Sequence, residues 1–112
     1  MADSRLPAHL EVSAILRLAE THDGFATVLA KGERDAGTIA LVTIKNGADA
    51  QFYERLPQAE GGRSWVPGRS QDNENPVEFS DYVSRRARQD SDLWIVEVDI
   101  ADPARFIELL PR

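Results

Sequence analysis

The chain has 112 residues, 42% hydrophobic and 29% charged, and it contains no cysteine. The missing thiol excludes disulfide frameworks, cysteine-ligated zinc, iron–sulfur clusters and thiolate catalysis. Nineteen acids against thirteen Lys and Arg give a net charge of −6, which excludes a globally basic nucleic-acid or membrane-surface binder but not a local basic patch. The length suits a single domain over 1–112, able to bury about 65% of its unfolded surface without metal or disulfide support. The start, Met1-Ala2-Asp3-Ser4-Arg5-Leu6-Pro7, lacks the basic and apolar runs of a signal peptide. No apolar run approaches the ~20 residues of a membrane helix. A cytoplasmic location with no membrane partner is therefore expected.

Residues 7–22 read as a helix, with Pro7 suited to its first turn. Leu10, Ala14 and Leu18 recur at i+4 spacing beside Val12, Ile15 and Ala19, a broad stripe for packing on a sheet. Asp23-Gly24 should stop it, Gly24 taking the left-handed position. Phe25 to Lys31 is the first strand, and Gly32 to Gly37 is a polar connector. Thr38 to Ile44 is apolar on both alternating faces, the pattern of a central strand. Asn46-Gly47 signals a type I′ hairpin that returns the chain as Ala50 to Leu56. There Gln51, Tyr53 and Arg55 form the more polar face, which suggests partial solvation or an edge. These three strands read as an antiparallel meander.

Residues 57–75 hold two prolines and three glycines, and an unstructured loop of that length is uncommon. A short fourth strand at Arg63 to Val66 is the favoured reading, a mobile loop the alternative. Asn75-Pro76-Val77-Glu78 opens a second helix as N-cap, N1 proline and capping-box acid. Phe79, Tyr82, Val83 and Ala87 mark its buried stripe. Leu93 to Ile100 is the last strand, set beside the meander, and Asp102-Pro103 starts a short closing helix with Phe106, Ile107 and Leu110. The expected fold is α+β: an antiparallel sheet of four or five strands, ordered α-β-β-β-(β)-α-β-α, with helices largely on one face.

Gly32 and Gly37 copy the spacing of a phosphate loop, but Thr38 stands where the lysine should be. Glu33 and Asp35 would repel a phosphate, so the segment reads as a turn and no nucleotide is expected. His9 and His22 have no further ligands in a metal spacing, so neither metal nor cofactor is implied. None of the seven serines stands in a nucleophile motif. The most chemical stretch is the last strand. Alternation puts Glu97 and Asp99 on one face about 7 Å apart, a spacing open to an acid/base pair or a divalent ion; the favoured reading has both acids reach solvent or pair with Arg55 or the helix arginines. Arg85, Arg86 and Arg88 form a candidate anion site. Asp81 lies i,i+4 from Arg85, and the helix dipole accounts for the cluster without a ligand. Trp65 is either an interface anchor or a lid over the sheet's weaker end.

Residues 5–18 (RLPAHLEVSAILRL), Gly24 to Leu29 with Lys31-Gly32 and Asp35 to Gly37, and Asp92 to Glu97 after an Arg-rich helix carry a family resemblance. Over nearly the whole chain the sequence resembles the bacterial domain-of-unknown-function family 1491, found mainly in alphaproteobacteria. The resemblance implies a small cytosolic bacterial protein and supplies no activity, cofactor or catalytic residue. Two functions follow from the residues. One is a non-enzymatic interaction domain, with a second copy or another protein as partner. The other is a ligand binder or enzyme using Glu97 and Asp99, with arginines holding an anionic group. A nucleic-acid partner for the arginine helix is disfavoured by Glu78, Asp81, Asp90 and Asp92 around it.

Overall fold

Strands that are apolar on both faces need cover on both faces, and this requirement organises the architecture. The computed structural model describes residues 6–112; the Met1 to Arg5 start, read for a targeting signal, lies outside them. In chain order the elements are α1 (Ala8–Thr21), β1 (Phe25–Ala30), β2 (Ile39–Lys45), β3 (Ala48–Pro57), β4 (Arg63–Ser70), α2 (Pro76–Gln89), β5 (Trp94–Asp99) and α3 (Pro103–Leu109). The five strands form one sheet in the order β1-β5-β2-β3-β4. All neighbours are antiparallel except β2 and β5, which run parallel with Leu41 beside Val96. The fold is α+β, with the expected element order.

Two expectations change. The meander is β2-β3-β4, because β5 enters between β1 and β2 and detaches β1 to the far edge. The helices also divide between the faces. Val12, Ile15 and Ala19 of α1 and Phe106 of α3 bury against Ile39, Leu41, Trp94, Val96 and Val98. On the other face Phe79 of α2 meets Ala40, Val42, Phe52, Leu93 and Ile95. The unbroken apolar run of β2, buried from Ile39 to Thr43, is what demands this second layer.

Local details show which forces won. The buried stripe of α1 is Ala8, Val12, Ile15 and Ala19, while Leu10 stays 45% exposed. Pro7 sits at the N-cap without capping α1; the carbonyls of Asp35 and Arg34 accept instead from the amides of Ala8 and His9. Asp23, not Gly24, takes the left-handed conformation, at φ 61°. Gly24 is needed for its size, since a Cβ there would meet Ala19 O at 3.1 Å. The Asn46-Gly47 turn has both residues at positive φ, 52° and 76°, as type I′ requires. Asn75 occupies the N-cap of α2, but its side chain donates to Glu78 at 3.3 Å rather than capping the backbone. Asp102 does cap α3, accepting from the Arg105 amide at 3.2 Å. The segment around Trp65 is a full strand that runs through Pro67, which an edge position tolerates.

Candidate functional site

The placement of α2 creates the site. One flank of the helix is pinned to β3 by aromatic and charged groups. Tyr82 stands edge-on to Phe52 at 5.3 Å, and Arg86 donates to the Tyr82 hydroxyl at 3.0 Å. Arg86 also donates to Glu54 and lies 5.2 Å over the Phe52 ring. Phe79 is the one fully sunk residue of the helix. The other flank, with Val83, Ser84, Ala87 and Arg88, overhangs the sheet towards β5 and β1. Beneath it lies a cleft of about 590 Å³, floored by Val42, Ile44, Ile95 and Glu97 and edged by Leu29 of β1.

Glu97 is the chemically distinctive group in this cleft. Its strand position, beside Thr27 on β1 and Val42 on β2, fixes it on the α2 face. It is half-buried, and no cation or hydrogen-bond donor among the described residues meets its carboxylate. Burial pushes its pKa above the usual carboxylate value, and the neighbouring Asp99 charge adds to the rise. A raised folded pKa means that the fold favours the protonated form. That contribution is present below the unfolded pKa and is lost as pH rises through the folded one. Glu97→Gln is therefore expected to melt at or above the wild-type temperature at neutral pH. The difference should vanish below the carboxylate range, and a variant less stable at neutral pH would refute the assignment.

The remaining sequence candidates separate in space. Asp99 shares the face of Glu97, but its Oδ1 accepts from the Asn46 amide at 3.0 Å, so it braces the hairpin. Arg86 is spent on Glu54 and Tyr82; burial opposes its charge most strongly, but these hydrogen bonds outweigh it and raise its pKa. Arg85 lies 6.0 Å over the Tyr82 ring and makes no ion pair with Asp81. Arg88 alone of the three lines the cleft. The arginine cluster is thus not one site. Arg55 pairs with neither acid of β5, because it points to the opposite face of the sheet and meets Glu11 there. Trp65 stacks on Arg55 at 5.0 Å and donates from Nε1 to the Pro111 carbonyl at 3.0 Å. It walls a second hollow of about 510 Å³ between α1, β4 and the chain end. His9 sits against the Arg34 carbonyl, and His22 is the C-cap of α1. Among the described residues, no three His, Asp or Glu side chains gather into a metal-binding group, and no helix is long and apolar enough to cross a membrane.

The family model for the protein of unknown function DUF1491 matches residues 6–108. The chain belongs to that family. A crystal structure of a DUF1491 family protein from Caulobacter crescentus CB15 is similar to it, with 30% identity and a TM-score of 0.78. That match covers 96% of this chain and 98% of the other. An NMR structure of a DUF1491 family protein from the same bacterium matches at 29% identity and TM-score 0.75, covering 95% and 94%. The solution structure of protein Atu0922 from A. tumefaciens matches at 26% and 0.73, covering 96% and 97%. None of the curated proteins matches the chain.

The DUF1491 family name carries no activity, so the chemistry rests on geometry. Two features of this DUF1491 chain escaped the sequence reading. One is the cleft, which depends on how far α2 overhangs. The other is the bare flank of β1, where Phe25 is 74% and Leu29 45% exposed. A signal for the second was present: Phe25 to Ala30 contains no charge and no proline.

Proposed function

We propose that this DUF1491 chain is a non-enzymatic binding domain whose α2–sheet cleft takes a small amphipathic ligand. The observation that carries the reading is the unpartnered, half-buried Glu97 on the floor of a cleft whose side chains are mostly apolar, with Gln71, Ser80, Ser84 and Arg88 around it. A cavity of this size lies within the ~300–1,000 Å³ of small-molecule sites, and few polar groups in an apolar lining set orientation there. An ammonium or other donor on the ligand satisfies Glu97, an acidic group reaches Arg88, and the apolar body lies against Val42, Ile95 and Val83. Asp99, Arg85 and Arg86 already have structural partners, which favours binding over acid/base catalysis.

The test is a small-molecule fragment screen followed by methyl NMR. Fragments carrying an amine should shift the methyls of Val42, Ile44, Val83 and Ile95, and Glu97→Gln should weaken them at least ~10-fold, the loss of one charge-assisted hydrogen bond. Fragments that ignore this substitution, or none that reach these methyls, would sink the reading. A charge that lowers stability yet is required for binding is the expected mark of a functional group.

A second reading, an interaction domain with a second copy as partner, is favoured by the separate observation of the bare β1 edge.

A further inference from the structure

The sheet has two edges, and they are built differently. The β4 edge carries Pro67, Gly68, Arg63 and Arg69, which are the devices that stop strands from adding to a sheet. β1 carries none of them. Its six residues are uncharged, and Phe25 and Leu29 stand in solvent beside it. The one irregularity, a bulge between Val28 and Ala30, turns both Leu29 and Ala30 towards the cleft.

The hydrogen-bond ladder says which backbone groups are free. Trp94 and Ile100 donate to β2, at Thr38 O and Ile44 O. Alternation then turns the backbone of Glu97 and Asp99 towards β1, where they pair with Thr27 and Phe25. Thr27 and Phe25 are therefore satisfied within the sheet. The N–H and C=O groups of Ala26 and Val28 point outwards, and among the described residues no strand lies beyond them.

We infer that β1 binds β1 of a second copy of this chain, antiparallel, with Thr27 opposite Thr27 across a two-fold axis. This inference rests on the interaction-domain reading and is independent of the cleft ligand. In this register the outward groups of Ala26 meet those of Val28 on the other copy, closing four backbone hydrogen bonds. Phe25 lies against Leu29, twice by symmetry, so the exposed apolar side chains cover each other. A slip of one residue puts Phe25 and Leu29 on opposite faces. A slip of two moves Phe25 off Leu29 and sets one or the other against Thr27. Only the Thr27 register matches hydrogen bonds and apolar cover together. The joined sheets have ten strands, and Phe25 of the second copy extends the Leu29 wall of each cleft. A short edge contact of this kind belongs to the small, weak end of protein interfaces.

Sedimentation equilibrium from micromolar to submillimolar protein tests the pairing. The wild type should move from monomer towards twice that mass, and Thr27→Lys, which sets two like charges face to face, should weaken the association at least ~10-fold. Thr27 is exposed, so its melting temperature should hold. The natural chain has no cysteine, so Thr27→Cys introduces a single thiol. Facing residues of a non-hydrogen-bonded pair lie about 4.5 Å apart at Cα, within disulfide reach, and mild oxidation should cross-link this variant. Ser64→Cys on the β4 edge should stay uncross-linked. A dimer that ignores Thr27→Lys and leaves Thr27→Cys reduced overturns the β1 contact while keeping self-association. A wild-type chain that stays monomeric throughout overturns both, leaving the edge to a strand of another protein.

Discussion

Arg55→Met is expected to cost about 3–5 kcal/mol of folding stability, although the substitution keeps the length and apolar stem of the side chain. Arg55 is 5% exposed and Glu11 16%, so this pair is removed from water. The guanidinium meets the carboxylate as two parallel bonds, Nη1 to Oε2 at 2.7 Å and Nη2 to Oε1 at 3.0 Å. Trp65 covers it from one side at 5.0 Å. Removing the cation leaves the largely buried Glu11 carboxylate, 16% exposed, without its bidentate partner, and that orphaned charge is the source of the loss. The double variant Glu11→Leu with Arg55→Met removes both charges and should recover most of the stability. Urea denaturation of the wild type, single and double variants checks this. A single variant within about 1 kcal/mol of wild type would show the pair to behave as a surface bridge.

This pair also marks a limit of sequence reading. Its members lie 44 positions apart, and nothing local in α1 or β3 announces the partner. What was legible was alternation. Gln51, Tyr53 and Arg55 do share a face, and the polar character of that face suggested solvent. The structure puts α1 over it, and the charge of Arg55 is buried by pairing instead. On β5 the alternation was again correct, with Glu97 and Asp99 facing away from Trp94, Val96 and Val98. Their different fates depend on what crosses above them. Asp99 meets the Asn46 turn, whereas Glu97 meets the overhang of α2.

The helices and hairpin were legible because their signals are local: Pro at N1, a period near 3.6, and Asn-Gly between alternating runs. The strand order was not, since insertion of β5 between β1 and β2 is decided by pairing across more than fifty residues. β2 held a hint of it. A strand apolar on both faces is central, so it needs a neighbour on each side and a helix layer on each face. Taken fully, that pattern argues against helices on one side only.

The connector that copies phosphate-loop spacing is where the second large effect is expected. Gly32→Ala and Gly37→Ala should each cost more than about 3 kcal/mol, beyond the usual penalty of overpacking, because the added carbon meets backbone that cannot turn aside. At Gly32 a Cβ would collide with the Asp92 carbonyl and lie 2.6 Å from the Leu93 carbonyl carbon. At Gly37 it would collide with the same Asp92 carbonyl and come within 3.0 Å of the Glu33 amide. Neither glycine has a positive φ, so the requirement is for space rather than for conformation. The reason lies in the topology. β5 enters between β1 and β2, so the connector must cross over the start of β5 closely enough for Glu33 N to donate to Asp92 O at 3.1 Å and for Trp94 Nε1 to donate to Glu33 O at 2.7 Å. The same loop presents the Asp35 and Arg34 carbonyls to the first amides of α1. Displacing it loosens the β5 entry and the helix start together. Gly68→Ala is the control: its Cβ would make ordinary contact with Phe52 O at 3.6 Å, and its expected change is within about 0.5 kcal/mol. Thermal melts of the three variants separate these cases, and a Gly32→Ala protein as stable as Gly68→Ala would mean that the connector does not hold this crossing. The glycines that looked like a nucleotide signal are expected to matter because one strand passes beneath them.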